Sequence, residues 1–327
     1  CYLSALRFWR RQIRDRHPVG AMVIDAPGIS FPFARVARSA GVPVIYFVAP
    51  QTWLWNPHGA VERLRTHADI VIPTVHAEAE IYERAGLPVI YEGHPALDDL
   101  VRACGDRVPE SRRANGAAVG LVPGSRRHAI RRLLPVMLDA LDLVEQRVRL
   151  GEVLVSVAAR PLQSVVDGCL RGRPRPVRVV EQDLWAVLTA SDIVLASTGG
   201  NLLDAAFADV PVVASYRIDS LTYLVARHLM RLHTRVAAFA LPNVIAGDRI
   251  VPELIQRDAT ATCLADAAVR LLTDQRARNA MRDGYARVRA ALGTPGVNAR
   301  IAGQLLARLG LSSPGSVGSG ETVSSSQ

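Results

Sequence analysis

Lysine is absent from this sequence, and aromatic residues make up only 5% of it. The first absence excludes an ATP- or GTP-binding P-loop, whose lysine reaches the terminal phosphates of the nucleotide. The second excludes a base-stacking platform for single-stranded nucleic acid, because Phe, Tyr and Trp are too few and too scattered to stack successive bases. Cysteine is scarce as well: Cys1, Cys104, Cys169 and Cys263 stand far apart with no Cys-x-x-Cys spacing. Neither a zinc knuckle nor a dithiol redox motif fits that pattern, and a reducing, cytoplasmic setting does. No cluster has metal-ligand spacing, so neither a metal nor a cofactor is expected. No apolar run reaches the roughly 20 residues of a spanning helix, which predicts a soluble or membrane-peripheral chain.

What is present is charge and apolar patterning. The formal net charge is +9, carried by arginine, and hydrophobic residues make up 49%. That balance calls for an anionic partner, a nucleic acid, a nucleotide or an anionic membrane surface, of which single-stranded nucleic acid fits least because aromatics are few. Short, near-continuous apolar runs recur between helical patterns: "AMVIDAP", "VPVIYFVAP", "ADIVIP" and "LPVIYEGHP", then "AAVGLVPGS", "EVLVSVAA", "VRVVEQ", "DIVLAST" and "VPVVASY". Such runs describe parallel strands buried on both faces, so the sequence predicts an α/β protein with two parallel sheets. The polar stretch "VRACGDRVPESRRANGA" reads as the linker between them. Residues 1–109 are therefore expected to form one domain, 110–310 a second with closing helices, and 311–327 a disordered tail. The opening residues read as a basic amphipathic helix already under way, which places the first strands of the N-terminal sheet upstream of Cys1.

Open parallel sheets bind ligands beyond the carboxyl ends of their strands, so those ends are the places to look. "LVPGSRRHAI" follows an apolar strand with a Gly124-Ser125 turn and opens a helix at Arg126 and Arg127. Unpaired N–H groups and the helix dipole make such a turn a fit for phosphate, although an ordinary strand-to-helix turn fits as well. "STGGNLLDAAFADVPVV" puts Thr198, Gly199 and Gly200 at another strand end and Asp204 one turn further on. There Asp204 can accept two ribose hydroxyls, or stand as a solvated first-turn carboxylate favoured by the dipole. Asp25 after "AMVI" is a strand-end carboxylate of the kind general-base chemistry needs, or a cap on the next helix. "IDSLTYLVARHLMRLHTR" is a basic amphipathic helix suited to packing on its own domain, on a second subunit or, less directly, on a membrane. Trp53 and Trp55 suit a core or a cleft wall.

The ordered set "VIDAP", "VAPQTWLW", "EGHPALD", "LVPGSRRHAI", "ALPNVIAG" and "VPELIQ" resembles the lipid-A-disaccharide synthases, inverting glycosyltransferases of the GT-B fold, over residues 20 to 290. The resemblance implies two Rossmann-like domains with parallel sheets facing a central cleft. It implies transfer from UDP-2,3-diacylglucosamine to 2,3-diacylglucosamine 1-phosphate, giving the β-1,6 lipid A disaccharide and UDP without a metal. It also implies work at the cytoplasmic face of the inner membrane of a Gram-negative-type bacterium, with no nucleic acid partner. On the same ground Asp25 matches the family's general base and Arg126 the arginine that neutralises the leaving UDP. Gly124, Ser125, Thr198, Gly199, Gly200 and Asp204 match the donor side, and Asn243, Glu253 and Gln256 the far wall of the cleft. Arg127, His128, Arg131 and Arg132 are left to a solvated or membrane-facing helix surface, and His94 to a structural place beside Gly93 and Pro95. The chain departs from the family at Gly28, Ile29 and Ser30, where Asp-Phe-Asn is usual, and at Asp204, where glutamate is usual. A homodimer stays open, as do another UDP-sugar enzyme of this fold, including a 2-epimerase, and a membrane-peripheral relative without turnover.

Overall fold

The computed structural model describes residues 2–50, 57–105, 116–217 and 238–311. The amphipathic stretch at 218–235, Trp53, Trp55, the second half of the expected linker and the tail from 312 lie outside the described residues. The chain divides into two compact units, one of Cys1–Asp98 with Gly293–Gln327 and one of Asp99–Leu292.

The first unit holds a parallel sheet of β1 (Ala21–Ile24), β2 (Val44–Phe47) and β3 (Ile70–Ile72), paired in that order. Helix α1 (Tyr2–Arg16) packs Leu6 and Ile13 against Ala34, Val36 and Ala37 of α2 (Pro27–Ser39), over Ala21 and Val23 of β1. Helices α3 (Pro57–His67) and α4 (His76–Arg84) follow β2 and β3 as crossovers, with Leu64 and Tyr82 fully buried beside Tyr46 and Val71. The run "LPVIY", expected as a strand, contributes only a bridge at Val89 to Val71, because Pro88 has no N–H to extend a ladder. Helix α5 (Leu97–Cys104) occupies the first part of the expected linker.

The second unit is a six-stranded parallel sheet whose strands are β4 (Ala117–Val122), β5 (Leu150–Val157), β6 (Arg178–Glu181), β7 (Ile193–Ser197), β8 (Val212–Tyr216) and β9 (Glu253–Ile255). They pair in the order β6-β5-β4-β7-β8-β9. That is the 3-2-1-4-5-6 order of a dinucleotide-binding sheet, with its switch point between β4 and β7. Central strands are buried along their length, β7 at all five positions, while the edge strands β6 and β9 are not. Helix α6 (Arg127–Glu145) covers one face through Ile130, Leu133, Leu134, Met137, Leu141 and Val144, the i, i+3, i+4, i+7 stripe of a packed helix. Each such buried side chain stabilises the fold by about 1.5–3 kcal/mol. The shorter helices α7 (Gln163–Leu170), α8 (Leu184–Thr189), α9 (Asn201–Phe207) and α10 (Leu241–Ala246) connect the later strands. Then α11 (Ala261–Thr273) packs on α6, and α12 (Gln275–Ala291) starts at Asp274, whose carboxylate accepts the N–H groups of Arg276 and Ala277.

The last helix, α13 (Val297–Arg308), corrects the expected division at residue 110, which grouped all C-terminal helices with the second domain. It belongs to the first unit because Asp98 caps it, accepting from the N–H groups of Gly296 at 2.6 Å, Val297 at 3.2 Å and Asn298 at 2.9 Å. Arg300 adds an ion pair to Glu92 at 3.0 Å and donates to the carbonyls of Glu92, Thr294 and Pro295. These N–H groups hold the Asp98 carboxyl below the usual carboxylate range. Its contribution to stability is therefore complete above the ordinary Asp pKa and lost as pH falls through the lowered one. Asp98→Ala is expected to cost about 1–2 kcal/mol, the usual loss on removing a helix cap, read from urea melts at neutral pH. That difference should shrink in acid.

Candidate functional site

The carboxyl ends of β4 and β7 open onto a cavity of about 590 Å³ in the second unit, large enough for a nucleotide. Gly124, Ser125 and Arg126 form one side of it, and Ser197 to Asn201 with Asp204 the other. Gly124 is at φ 104°, and a Cβ there would stand 2.8 Å from Ser197 Oγ, so both backbone conformation and space demand glycine. Arg126 is the residue before α6, in extended conformation, with its side chain exposed and in no ion pair or hydrogen bond among the described residues. It stands at the positive end of a 19-residue helix whose first N–H groups have no intrahelical partner.

The opposite side is built differently. Helix α9 has only seven residues, and its first N–H groups turn back on the chain: Leu202 donates to the Gly199 carbonyl and Leu203 to that of Gly200. Thr198 donates its N–H to Ser215, and the Asn201 amide donates to the Ser197 carbonyl. This side therefore offers shape and the Asp204 carboxylate rather than a strong helix-end field. Burial pushes the Asp204 carboxyl above its ordinary value, and a hydrogen bond from Trp185 opposes part of that shift.

Four further polar residues line the cavity beyond those expected from the sequence: Ser156, Gln182, Tyr216 and Arg217. All lie at or just after the carboxyl ends of β5, β6 and β8, so the strand-end rule applied to "EVLVSVAA", "VRVVEQ" and "VVASYR" would have found them. His128 also lines the cavity and is not merely on an outer helix surface, because the first turn of α6 faces the opening. Arg127 does face away, donating to the Pro161 carbonyl at 3.0 Å.

Asn243 and Glu253 are joined to each other. The Asn243 amide is 1% exposed, donates to the Val251 carbonyl at 2.9 Å and to Glu253 at 2.7 Å, and accepts from the Val251 N–H at 2.8 Å. The Glu253 carboxylate also accepts from the N–H groups of Phe239, at 3.0 Å, and Ala240, at 2.8 Å. Asn243 therefore does not present its amide to a ligand, contrary to its expected place on a substrate wall. The pair fixes the start of α10 against the entry to β9, because an amide and a carboxylate together satisfy backbone groups that no ladder reaches. Gln256 follows β9 at φ 55° and donates its N–H to the Tyr216 carbonyl at 2.8 Å.

In the first unit, Asp25 stands at the carboxyl end of β1, exposed, with its carboxylate in no hydrogen bond among the described residues. It does not cap α2, whose first turn receives no side-chain cap. His94 is buried, accepts from the Ala96 N–H at 3.1 Å and has its pKa lowered by burial to about 4. It is a neutral, structural imidazole at physiological pH.

A Rossmann-type sheet with an arginine-bearing cavity at its switch point, in a chain carrying a second parallel sheet, is the architecture of the GT-B class. The fold is shared with the UDP-GlcNAc 2-epimerase of Neisseria meningitidis bound to UDP-GlcNAc, at a TM-score of 0.62 and 13% identity over 94% of this chain and 81% of that one. MurG of Acinetobacter baumannii shares it too, at a TM-score of 0.56 and 13% identity over 94% of this chain and 78% of the other. The lipid-A-disaccharide synthetase family model matches residues 6–301. A lipid-A-disaccharide synthase of Geobacter sulfurreducens is 34% identical over 306 residues, 92% of this chain and 78% of that relative. The chain belongs to the lipid-A-disaccharide synthetase family.

Proposed function

We propose that this protein is the glycosyltransferase that joins UDP-2,3-diacylglucosamine to 2,3-diacylglucosamine 1-phosphate, forming the β-1,6 lipid A disaccharide and UDP. The observation that carries this reading is the switch-point cavity, with Arg126 at its helix end and Asp204 on its other side, in a member of this family. UDP occupies that cavity: Arg126 and the N-terminus of α6 meet the diphosphate, and Asp204 accepts hydroxyl donors of the ribose. Ser125, Thr198, Gly199 and Gly200 shape the diphosphate passage. Asp25 takes the proton of the acceptor hydroxyl as that oxygen attacks the anomeric carbon from the face opposite UDP, which inverts the configuration. Asn243 and Glu253 serve by holding the backbone of α10, and Gln256 by terminating β9 beside Tyr216.

Among the described residues no helix is long and apolar enough to cross a membrane. The acylated substrates place the reaction at a membrane surface, and the arginine-rich charge of +9 favours the anionic cytoplasmic face of the inner membrane. Both sugars and that surface are the partners proposed.

The test mixes the purified chain with both acylated sugars in detergent and follows UDP and disaccharide together. Equimolar UDP and disaccharide, each dependent on both substrates, is the expected result. Conversion of the donor at C2 without disaccharide would replace this reading with epimerisation, and UDP binding without turnover would replace it with a non-catalytic role.

UDP affinity should also depend on pH through Asp204. The ionised carboxylate offers both oxygens to the ribose hydroxyls and accepts more strongly than the neutral acid, and burial raises its pKa, so affinity is expected to strengthen as pH rises through that raised value. Stability of the unliganded protein runs the other way: a raised carboxyl pKa stabilises the fold below the ordinary Asp value and loses that contribution as pH rises. Calorimetric titration with UDP checks this, with Asp204→Asn expected to weaken binding about tenfold at neutral pH. The variant also supplies the baseline for ionisation of the terminal phosphate of UDP itself.

A further inference from the structure

The chain leaves β1 through an unusual turn. Asp25 and Ala26 both adopt left-handed backbone, at φ 45° and 41°, and neither is glycine. Residues with a Cβ visit that region seldom and singly, because the side chain crowds the following carbonyl. Two in succession persist only where the surroundings hold them, and such positions gather at functional sites.

The surroundings here are specific. The Asp25 N–H donates to the Phe47 carbonyl at 3.0 Å, which ties the residue to β2. Its own carbonyl accepts two hydroxyl hydrogen bonds, from Ser30 Oγ at 2.5 Å and from Tyr46 Oη at 3.0 Å. A carbonyl has two lone pairs, and side chains occupy both, where a continuing strand would offer a backbone N–H. Ser30 is 5% exposed in the first turn of α2, so its hydroxyl reaches back across the turn. Tyr46 is fully buried on β2, with its ring 5.2 Å from that of Phe31. Burial also lifts the Tyr46 phenol to about 12, so it remains a donor throughout the working pH range. Both peptide planes flanking Asp25 are thus fixed, and the exposed carboxylate is the part left free to meet a substrate.

We propose that Ser30 and Tyr46 are positioning residues for the transfer: by pinning the Asp25 carbonyl from two sides they lock the Asp25–Ala26 elbow and aim its carboxylate at the acceptor. The proposal rests on the reading of Asp25 as general base. Asparagine at position 30 is the informative replacement, because its amide N–H can supply the same hydrogen bond that the Ser30 hydroxyl supplies.

The test uses the full chain with Tyr46→Phe, Ser30→Ala, Ser30→Asn and Asp25→Asn, measuring kcat and KM for both sugars, UDP affinity and the thermal midpoint. Tyr46→Phe and Ser30→Ala are each expected to lower kcat about tenfold, with KM and UDP affinity within about twofold, since misaiming a base affects the transition state and not ground-state binding. Ser30→Asn is expected to keep most of kcat. A merely structural role would lower the thermal midpoint and leave kcat of the folded fraction, counted by UDP binding, unchanged. Should Asp25→Asn abolish turnover while Tyr46→Phe and Ser30→Ala retain full kcat, the positioning role fails and the base reading stands. If Asp25→Asn itself retains kcat, both fail. If Tyr46→Phe does not fold, the contrast between Ser30→Ala and Ser30→Asn decides, and equal rates for those two overturn the proposal.

Discussion

Asp25→Asn is expected to lower kcat for disaccharide formation by about 10²- to 10⁴-fold, the range that a positioned general base contributes. The primary hydroxyl of the acceptor is a weak nucleophile at neutral pH, and its proton must leave as the new bond forms. Asparagine keeps the shape of the side chain and its place beyond β1, but its amide cannot take that proton. The backbone should tolerate the change, because asparagine is among the residues most at ease in the left-handed region that Asp25 occupies. UDP affinity should stay within about twofold of wild type, since the cavity at β4 and β7 belongs to the other unit. A loss in kcat with unchanged UDP affinity separates removal of a base from loss of the fold. Steady-state kinetics with both sugars saturating, beside a UDP titration, make the measurement. A variant within a few-fold of wild-type kcat would remove Asp25 from the chemistry.

How far such roles can be read from the sequence depends on the range of the interactions that create them. The central strands were legible because β4, β7 and β8 are near-continuous apolar runs, and such runs are buried on both faces. The Gly124 turn was legible for a similar reason: strand, Gly-Ser and helix are contiguous, so local chemistry predicts local geometry. Strand β9 escaped notice because its three residues include the half-buried Glu253 and carry little apolar signal. Helix α13 shows the harder limit. Its apolar stripe says that it packs, but its cap, Asp98, lies 198 residues earlier than the Gly296 N–H it accepts. No window along the chain contains that pairing. Asn243 failed differently: "LPN" suggests a ligand group or a turn, whereas the partners of its amide, Val251 and Glu253, follow 8 and 10 residues later. The elbow at Asp25 had no glycine to announce it, and it is held by Tyr46 from the neighbouring strand.

Arg126→Ala is the second large effect, expected at about 10²- to 10³-fold in kcat, the loss seen when one preorganised group facing developing charge is removed. As the bond from the anomeric carbon to the diphosphate breaks, negative charge grows on UDP, and the cation nearest the α6 N-terminus meets it. Arg126 suits that role because nothing among the described residues competes for its guanidinium. The neighbouring Arg127 is engaged at the Pro161 carbonyl and should matter little. The partition between kcat and KM carries the mechanistic content. If Arg126 gripped ground-state and departing UDP equally, its removal would raise KM for the donor and leave kcat alone. Stabilisation of the leaving group instead lowers kcat, with a smaller rise in KM. Arg126→Lys sharpens the distinction: an ammonium restores the charge but not the planar, two-pronged hydrogen bonding of the guanidinium. It should therefore recover UDP affinity more fully than kcat. Full recovery of kcat by lysine would reduce the role of Arg126 to simple charge. Equal activity in the alanine variant would move the stabilisation of departing UDP to the helix end itself, with Arg217 as the other arginine among the described cavity residues to examine.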